Sequence, residues 1–279
     1  MNMPKWQRGK ERKKMKKTLN AFLAIALAAS LAGCGSSTPE GGSSAAAGPD
    51  TTKGEGVMTY QQYADAAVDD KVTVEAYVQA KQSWWDNKGT IFAQDADGGY
   101  FFYDMPISEE DYDKLTEGTK IKVTGYKAEW MGQVEIIDSE YEILEGNWVA
   151  EPVDVTAKLK DGSLADYMNQ KVTFKGVKIE PAEYTEDGSV YEVYKDANGE
   201  NAAFMYKYNG TGAQGDDVYF TVSVDGVNYT FLVRNYLTGK DTDVYKAAEA
   251  LEIGKTYDME GYLYWYNGPN PYITSIKAN

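Results

Sequence analysis

The side chains in this sequence that could do chemistry are mostly flat rings and carboxylates. Trp84-Trp85, Trp130 and the run Tyr264-Trp265-Tyr266 place large aromatics in segments that otherwise read as turns. Such rings could stack on sugar rings, bases or a partner's side chains, and they could equally fill a seam between domains. The 279 residues contain no histidine, which removes the commonest general base and the commonest metal ligand together. No nucleophile elbow, P-loop or zinc motif appears. The expectation is therefore a non-enzyme with no cofactor and no metal. The acids of Ser108-Glu109-Glu110-Asp111 suit the first turn of a helix, where negative charge meets the helix dipole. Arg234 is the only arginine after residue 12. A neighbouring Asp is its expected partner, and a carboxylate ligand is the alternative.

The single thiol has a different setting. Lys13-Lys14-Met15-Lys16-Lys17 precedes an apolar stretch, LNAFLAIALAASL, over residues 19–31. A membrane-spanning helix needs about 20 apolar residues, so this stretch reads as the core of a signal segment. It ends in Leu31-Ala32-Gly33-Cys34, which closely resembles the lipobox of bacterial lipoproteins. That resemblance implies cleavage after residue 33, diacylglycerol on the Cys34 thiol, acyl chains such as palmitate, and a place on the extracellular face of the cell membrane. Two acyl chains give stable anchoring where one does not. Either Met1 or Met15 could be the true start. Residues 34–57 then form a Gly/Ser/Ala/Pro tether with no aromatic, expected to be a flexible spacer.

Charge is divided unevenly. Residues 1–33 hold eight Lys/Arg and one acid. Taking these from the totals of 28 and 43 leaves 20 bases and 42 acids, a net charge near −22 for residues 34–279. Nucleic-acid binders gain affinity by neutralising phosphates with Lys/Arg, so the acid excess argues against nucleic acid as a partner for this body.

The elements that must position the rings come in two similar sets. Residues 71–78 and 171–178 alternate as strands, each after a short helix over 59–67 or 163–168, with Thr59 and Ser163 as caps. Residues 118–126 match 254–262, and each copy runs through an aromatic turn into a closing strand, 134–137 or 272–276. Short helices over 108–115 and 243–251 precede the matched segments. The first set has a hairpin at Asp97-Gly98 and the second at Asp225-Gly226, a strong hairpin dipeptide. The second set is about 36 residues longer, placed mostly at 179–215 around a turn at Asp196-Ala197-Asn198-Gly199. Pairing the Asp196 turn with Asp97 instead would make the Asp225 hairpin the insertion. The Asp95 and Asp196 turns faintly resemble calcium loops, but both lack the Gly and Glu that an EF-hand loop requires.

Helix, strand, hairpin, helix and long hairpin is the order of the OB-fold, a five-stranded Greek-key barrel. Both halves resemble OB-like domains of secreted bacterial proteins, on IFAQDADGGYFFY followed by GTKIKVTGYKAEW and on the matched glycine and strand pattern of the second half. The fold class expected is mostly β, two tandem OB-like barrels after a lipoprotein signal and a disordered linker. The boundaries are 1–33 signal, 34–57 lipidated Cys and linker, 58–146 first barrel, 147–160 interdomain linker and 161–279 second barrel with its insertion. OB-folds bind on the face of strands 2 and 3, rimmed by the loops after strands 1 and 4. Those loops would carry Trp84, Trp85 and Trp130 in the first barrel. In the second, Tyr264, Trp265 and Tyr266 occupy the loop after strand 4, with Tyr184 opposite. The function expected is a non-catalytic binding or adaptor module held by its lipid, with a glycan or protein partner. A nucleic-acid-binding OB module, or an accessory subunit of an extracellular enzyme, is the alternative.

Overall fold

The computed structural model describes residues 48–185 and 191–279. The expected signal segment and Cys34 lie outside the described residues. Gly48–Asn279 is one compact unit built from two closed β-barrels.

In the first barrel, helix α1 (Tyr60–Asp65) opens with a capping box in which Thr59 and Gln62 satisfy each other's backbone N–H groups. Strands β1 (Lys71–Lys81), β2 (Lys88–Gln94) and β3 (Gly99–Pro106) follow. Helix α2 (Glu109–Lys114) is capped by Ser108, with Glu109, Glu110 and Asp111 in its first turn. Strands β4 (Thr119–Trp130) and β5 (Gln133–Asn147) complete the set. The strands close in the order β1-β2-β3-β5-β4, with β3 and β5 parallel at Phe102 and Ile136. Val74, Ile91, Phe102, Ile121 and Ile136 fill the interior, and Leu115 at the end of α2 enters the same core. Lys127 on β4 closes the open end of α1, donating to the carbonyls of Tyr63, Ala64 and Ala66 at 2.9, 2.7 and 2.8 Å. A cation there meets the negative end of the helix dipole, although burial lowers the ammonium's pKa.

The second barrel repeats this plan. Strand β6 (Val153–Asp154) runs parallel to β7 (Lys171–Glu180), with 3₁₀ helices Thr156–Lys160 and Gly162–Tyr167 between them. The second 3₁₀ helix is the expected 163–168 helix, but its cap is the Asp161 carboxylate, which accepts from Ser163 N. After β7 come β8 (Glu183–Tyr184), β9 (Glu192–Val193), β10 (Phe204–Tyr206), β11 (Val218–Val224) and β12 (Val227–Val233). Helices α3 (Asn235–Thr238) and α4 (Asp243–Glu249) lead into β13 (Thr256–Tyr262) and β14 (Tyr272–Ala278). The β11–β7 pairing closes the barrel as β7-β11-β12-β14-β13. β11 and β12 are therefore its second and third strands, and the Asp225-Gly226 turn is the counterpart of the Asp97-Gly98 turn. Asp225 and Gly226 have φ of 50° and 81°, the mirror-image turn that matches strand twist. The insertion is the stretch between β7 and β11. It adds β10 to the sheet edge and lays the β8–β9 ribbon beside β11, where Glu183 N donates to Thr221 Oγ1 at 3.0 Å.

Two expected segments differ in character. Residues 147–160 are divided between the barrels rather than spanning a gap. Trp148 packs edge-on against Tyr77, and Ala150 N donates to Gln79 Oε1 at 2.8 Å. Val155 and Leu159 sit in the second core. The last part of the expected tether lies on the first barrel. Asp50 N donates to Tyr77 Oη at 2.9 Å, Lys120 pairs with Asp50 at 3.3 Å, and Lys53 pairs with Asp95 at 2.6 Å. Asp95 also accepts from Asp97 N, Gly98 N and Tyr100 Oη, all at 2.9 Å. Its oxygens thus serve a hairpin turn and a lysine.

Candidate functional site at the inter-barrel seam

In β2 and β3, alternate residues point in and out of the barrel. Ile91, Ala93, Tyr100 and Phe102 face in, while Phe92 and Phe101 face out and are equally buried. This outer face is where an OB-fold takes its ligand. Here the second barrel covers it. Tyr262 stacks on Phe92 with centroids 5.0 Å apart, and Tyr272 meets Phe92 edge-on at 5.9 Å. Tyr264 meets Phe101 at 5.5 Å and stacks on Tyr272 at 4.5 Å. Burial pushes the Tyr272 hydroxyl well above its ordinary pKa, with Tyr264 adding to the shift. These rings form a third core, shared between the barrels.

Three buried glutamines border that core. Gln133 Nε2 donates to Asn169 Oδ1 at 2.5 Å, and its Oε1 accepts from Trp265 N at 2.9 Å. Gln94 Oε1 accepts from Lys171 N at 3.1 Å. The backbone carbonyl of Gln79 accepts from Tyr262 Oη at 2.8 Å. Backbones approach closely at two glycines. A Cβ on Gly99 would stand 2.5 Å from the Asn169 carbonyl carbon, and one on Gly132 would stand 2.7 Å from the Trp265 ring.

The aromatic residues expected at rims fall into several settings. Trp84 is half-buried against the first core, with Nε1 donating to Ile107 O at 3.0 Å. Tyr264, 8% exposed, belongs to the shared core. Trp265 is half-buried against the second core and held by Gln133 and Gly132. Trp130 and Tyr266, from the matching loops of the two barrels, meet at 5.3 Å, and Tyr266 is 44% exposed. Trp85 is 75% exposed. It is held by a tight turn through Asp86 and Asn87, closed by paired Trp85–Lys88 backbone bonds of 3.1 and 3.0 Å.

Among the exposed rings that no rim expectation covered, one stands at the seam. Tyr236, on α3 of the second barrel, is 58% exposed. Its carbonyl accepts from Ser83 N at 2.6 Å and Ser83 Oγ at 3.1 Å, which brings it to the loop carrying Trp85. The Arg234 guanidinium lies 5.6 Å from the Tyr236 ring and pairs with Asp217 at 2.6 Å. Asp217 is thus the expected acidic neighbour. The register places Trp85 beyond one end of β2–β3 and Trp130 near the other. The seam therefore has rings from both barrels at each end: Trp130 lies against Tyr266 at one, and Trp85 and Tyr236 stand on segments joined through Ser83 at the other. Trp84, Trp85 and Trp130 do not converge on one groove.

Elsewhere a cleft on the second barrel pairs Lys160, Lys175 and Lys178 with Asp225, Asp154 and Glu180. Among the described residues no group of acids and cysteines is arranged to hold a metal ion. No described helix is long and apolar enough to cross a membrane.

No family model matches the chain, and no curated protein does. Solved structures give distant similarities. A murine DNA binding protein bound with double-stranded DNA is 10% identical, over 74% of this chain and 99% of that one, with a TM-score of 0.34. The Ifi202 HINa domain in complex with 20 bp double-stranded DNA is 12% identical over 77% and 98%, with a TM-score of 0.30. A deletion mutant of the single-stranded DNA binding protein from Thermus aquaticus is 12% identical over 77% and 96%, with a TM-score of 0.22. The OB-like character of both barrels follows from their own strand order.

Proposed function

We propose that this chain is a lipid-anchored, extracellular binding or adaptor protein without catalytic activity, which meets a protein or glycan surface through rings at the seam. One observation carries the reading: Trp85 is three-quarters exposed on a tight turn, next to the loop contact that presents Tyr236. A large rigid ring held in water is the kind of anchor that dominates interfaces. The anchoring half rests on the lipobox at Leu31-Ala32-Gly33-Cys34. It predicts that Cys34→Ala moves the protein from the membrane fraction to the soluble fraction and abolishes incorporation of labelled palmitate. Membrane retention of that variant would end this part of the reading.

For the ligand, the full chain and a Trp85→Ala variant are compared on immobilised cell-wall glycan and on intact cells. Truncation of an interface anchor is expected to cost roughly tenfold or more in affinity. Melting temperature should be unchanged, since the ring supports no core. Equal retention of both proteins on every surface would overturn the assignment of Trp85.

A nucleic-acid reading is the second possibility, since the distantly similar proteins named above bind DNA. It needs a basic track, whereas this body carries near −22. It also needs an open β2–β3 face, whereas Phe92 and Phe101 are covered. Single-stranded DNA at low salt is therefore expected to pass through a column of the protein without retention. Retention that falls steeply with salt would favour the nucleic-acid reading.

A further inference from the structure

Three Asn-Gly pairs lie in the second half, at 198–199, 209–210 and 267–268. Such a pair can react with itself, because glycine offers no side chain to shield its backbone nitrogen. The reaction requires that nitrogen to be free and the asparagine side chain to swing onto it. Two of the three pairs are restrained. Gly199 N donates to Asp196 O at 3.0 Å, and Asn198 Nδ2 reaches Asp196 Oδ2 at 3.4 Å. Gly210 N donates to Lys207 O at 3.1 Å, and Asn209 Oδ1 accepts from Thr211 N and Oγ1 at 3.3 and 2.7 Å. The third pair is different. Asn267 is exposed. Among the described residues, its side chain, its carbonyl and the Gly268 N–H form no hydrogen bond.

We propose that Asn267 is a site of spontaneous deamidation that ages the seam. The Gly268 backbone nitrogen, on losing its proton to solvent, attacks the Asn267 Cγ. A C–N bond forms, the Cγ–Nδ2 bond breaks, and the amide nitrogen leaves as ammonia with protons taken from water. Water then opens the cyclic imide at either carbonyl. The product is an aspartate, or an isoaspartate in which the main chain passes through the former side chain. No oxidant or cofactor takes part.

The position gives the reaction a structural effect. Asn267 N donates across the seam to Met131 O at 2.7 Å, and the adjacent Tyr266 ring rests on Trp130. An isoaspartyl link lengthens the backbone by one carbon between Asn267 Cα and Gly268 and shifts this bond. The new carboxylate also adds charge to an already acidic body.

The test incubates the full chain in detergent at mildly alkaline pH, folded or in urea, and follows each Asn-Gly peptide by mass and by isoaspartate labelling. In urea the three peptides should react at similar rates. In the folded chain the 267 peptide should lead the other two several-fold. Folded protein in which 198 or 209 keeps pace with 267, or in which 267 does not react, would overturn the proposal.

Discussion

Gln133 shows how much one side chain can decide. It is fully buried, yet its two polar atoms serve Asn169 and Trp265 of the other barrel. Removing it leaves those partners unpaired in a buried seam, which costs about 1–3 kcal/mol. Gln133→Ala should therefore lower the midpoint of urea unfolding, with its slope unchanged. A smaller effect is expected for Tyr262→Phe, which removes only the hydroxyl donated to Gln79 O and costs about 1 kcal/mol. Neither role was legible from residue type. A lone Gln in a strand reads as an outward polar position, and only the second barrel makes that position interior. The rings were legible as rings but not as to their fate. Trp84 and Trp85 are neighbours in the same loop, yet one packs on the first core and the other stands in water.

At the level of elements, more could be read in advance. Thr59 as a cap, the acidic helix start at Ser108–Asp111 and the Asp225-Gly226 hairpin follow from local chemistry, and the structure has them as expected. The choice between two pairings for the insertion did not. It depends on β11 meeting β7, a contact between segments some forty residues apart. The outer face of β2–β3 left a partial signal. Phe92 and Phe101 interrupt the polar-out pattern, as strands do when both faces are covered. The tight approach at Gly99 gives an element-scale test. A methyl there must push β3 away from the Asn169–Gln170 backbone. Gly99→Ala is expected to destabilise by about 1–3 kcal/mol, the usual cost of overpacking, measured by thermal melting.

For the whole molecule, the shared aromatic core predicts that the barrels unfold together. Calorimetry should give one transition, and Phe92→Ala should lower it by about 3–5 kcal/mol as a large core truncation does. Two resolved transitions would show that the seam does not couple them. A net charge near −22 on residues 34–279 also repels itself. Moderate salt should raise the melting temperature by screening that repulsion. Acid works against specific carboxylates. The Asn279 side chain and the Gly176 N–H hold the Asp258 carboxyl below its ordinary pKa, so this contribution is present at neutral pH. It is lost as pH falls below about 4 and through the lowered value. Circular dichroism against pH, compared with Asp258→Asn, would register it as a smaller acid sensitivity in the variant.

The clip formed by Asp50 and Lys53 on the first barrel has a mechanical consequence. Asp50 is fastened to Tyr77 on β1 and to Lys120 on β4. A pull on the chain ahead of Gly48 would therefore be borne by two strands of the first barrel before it reached α1.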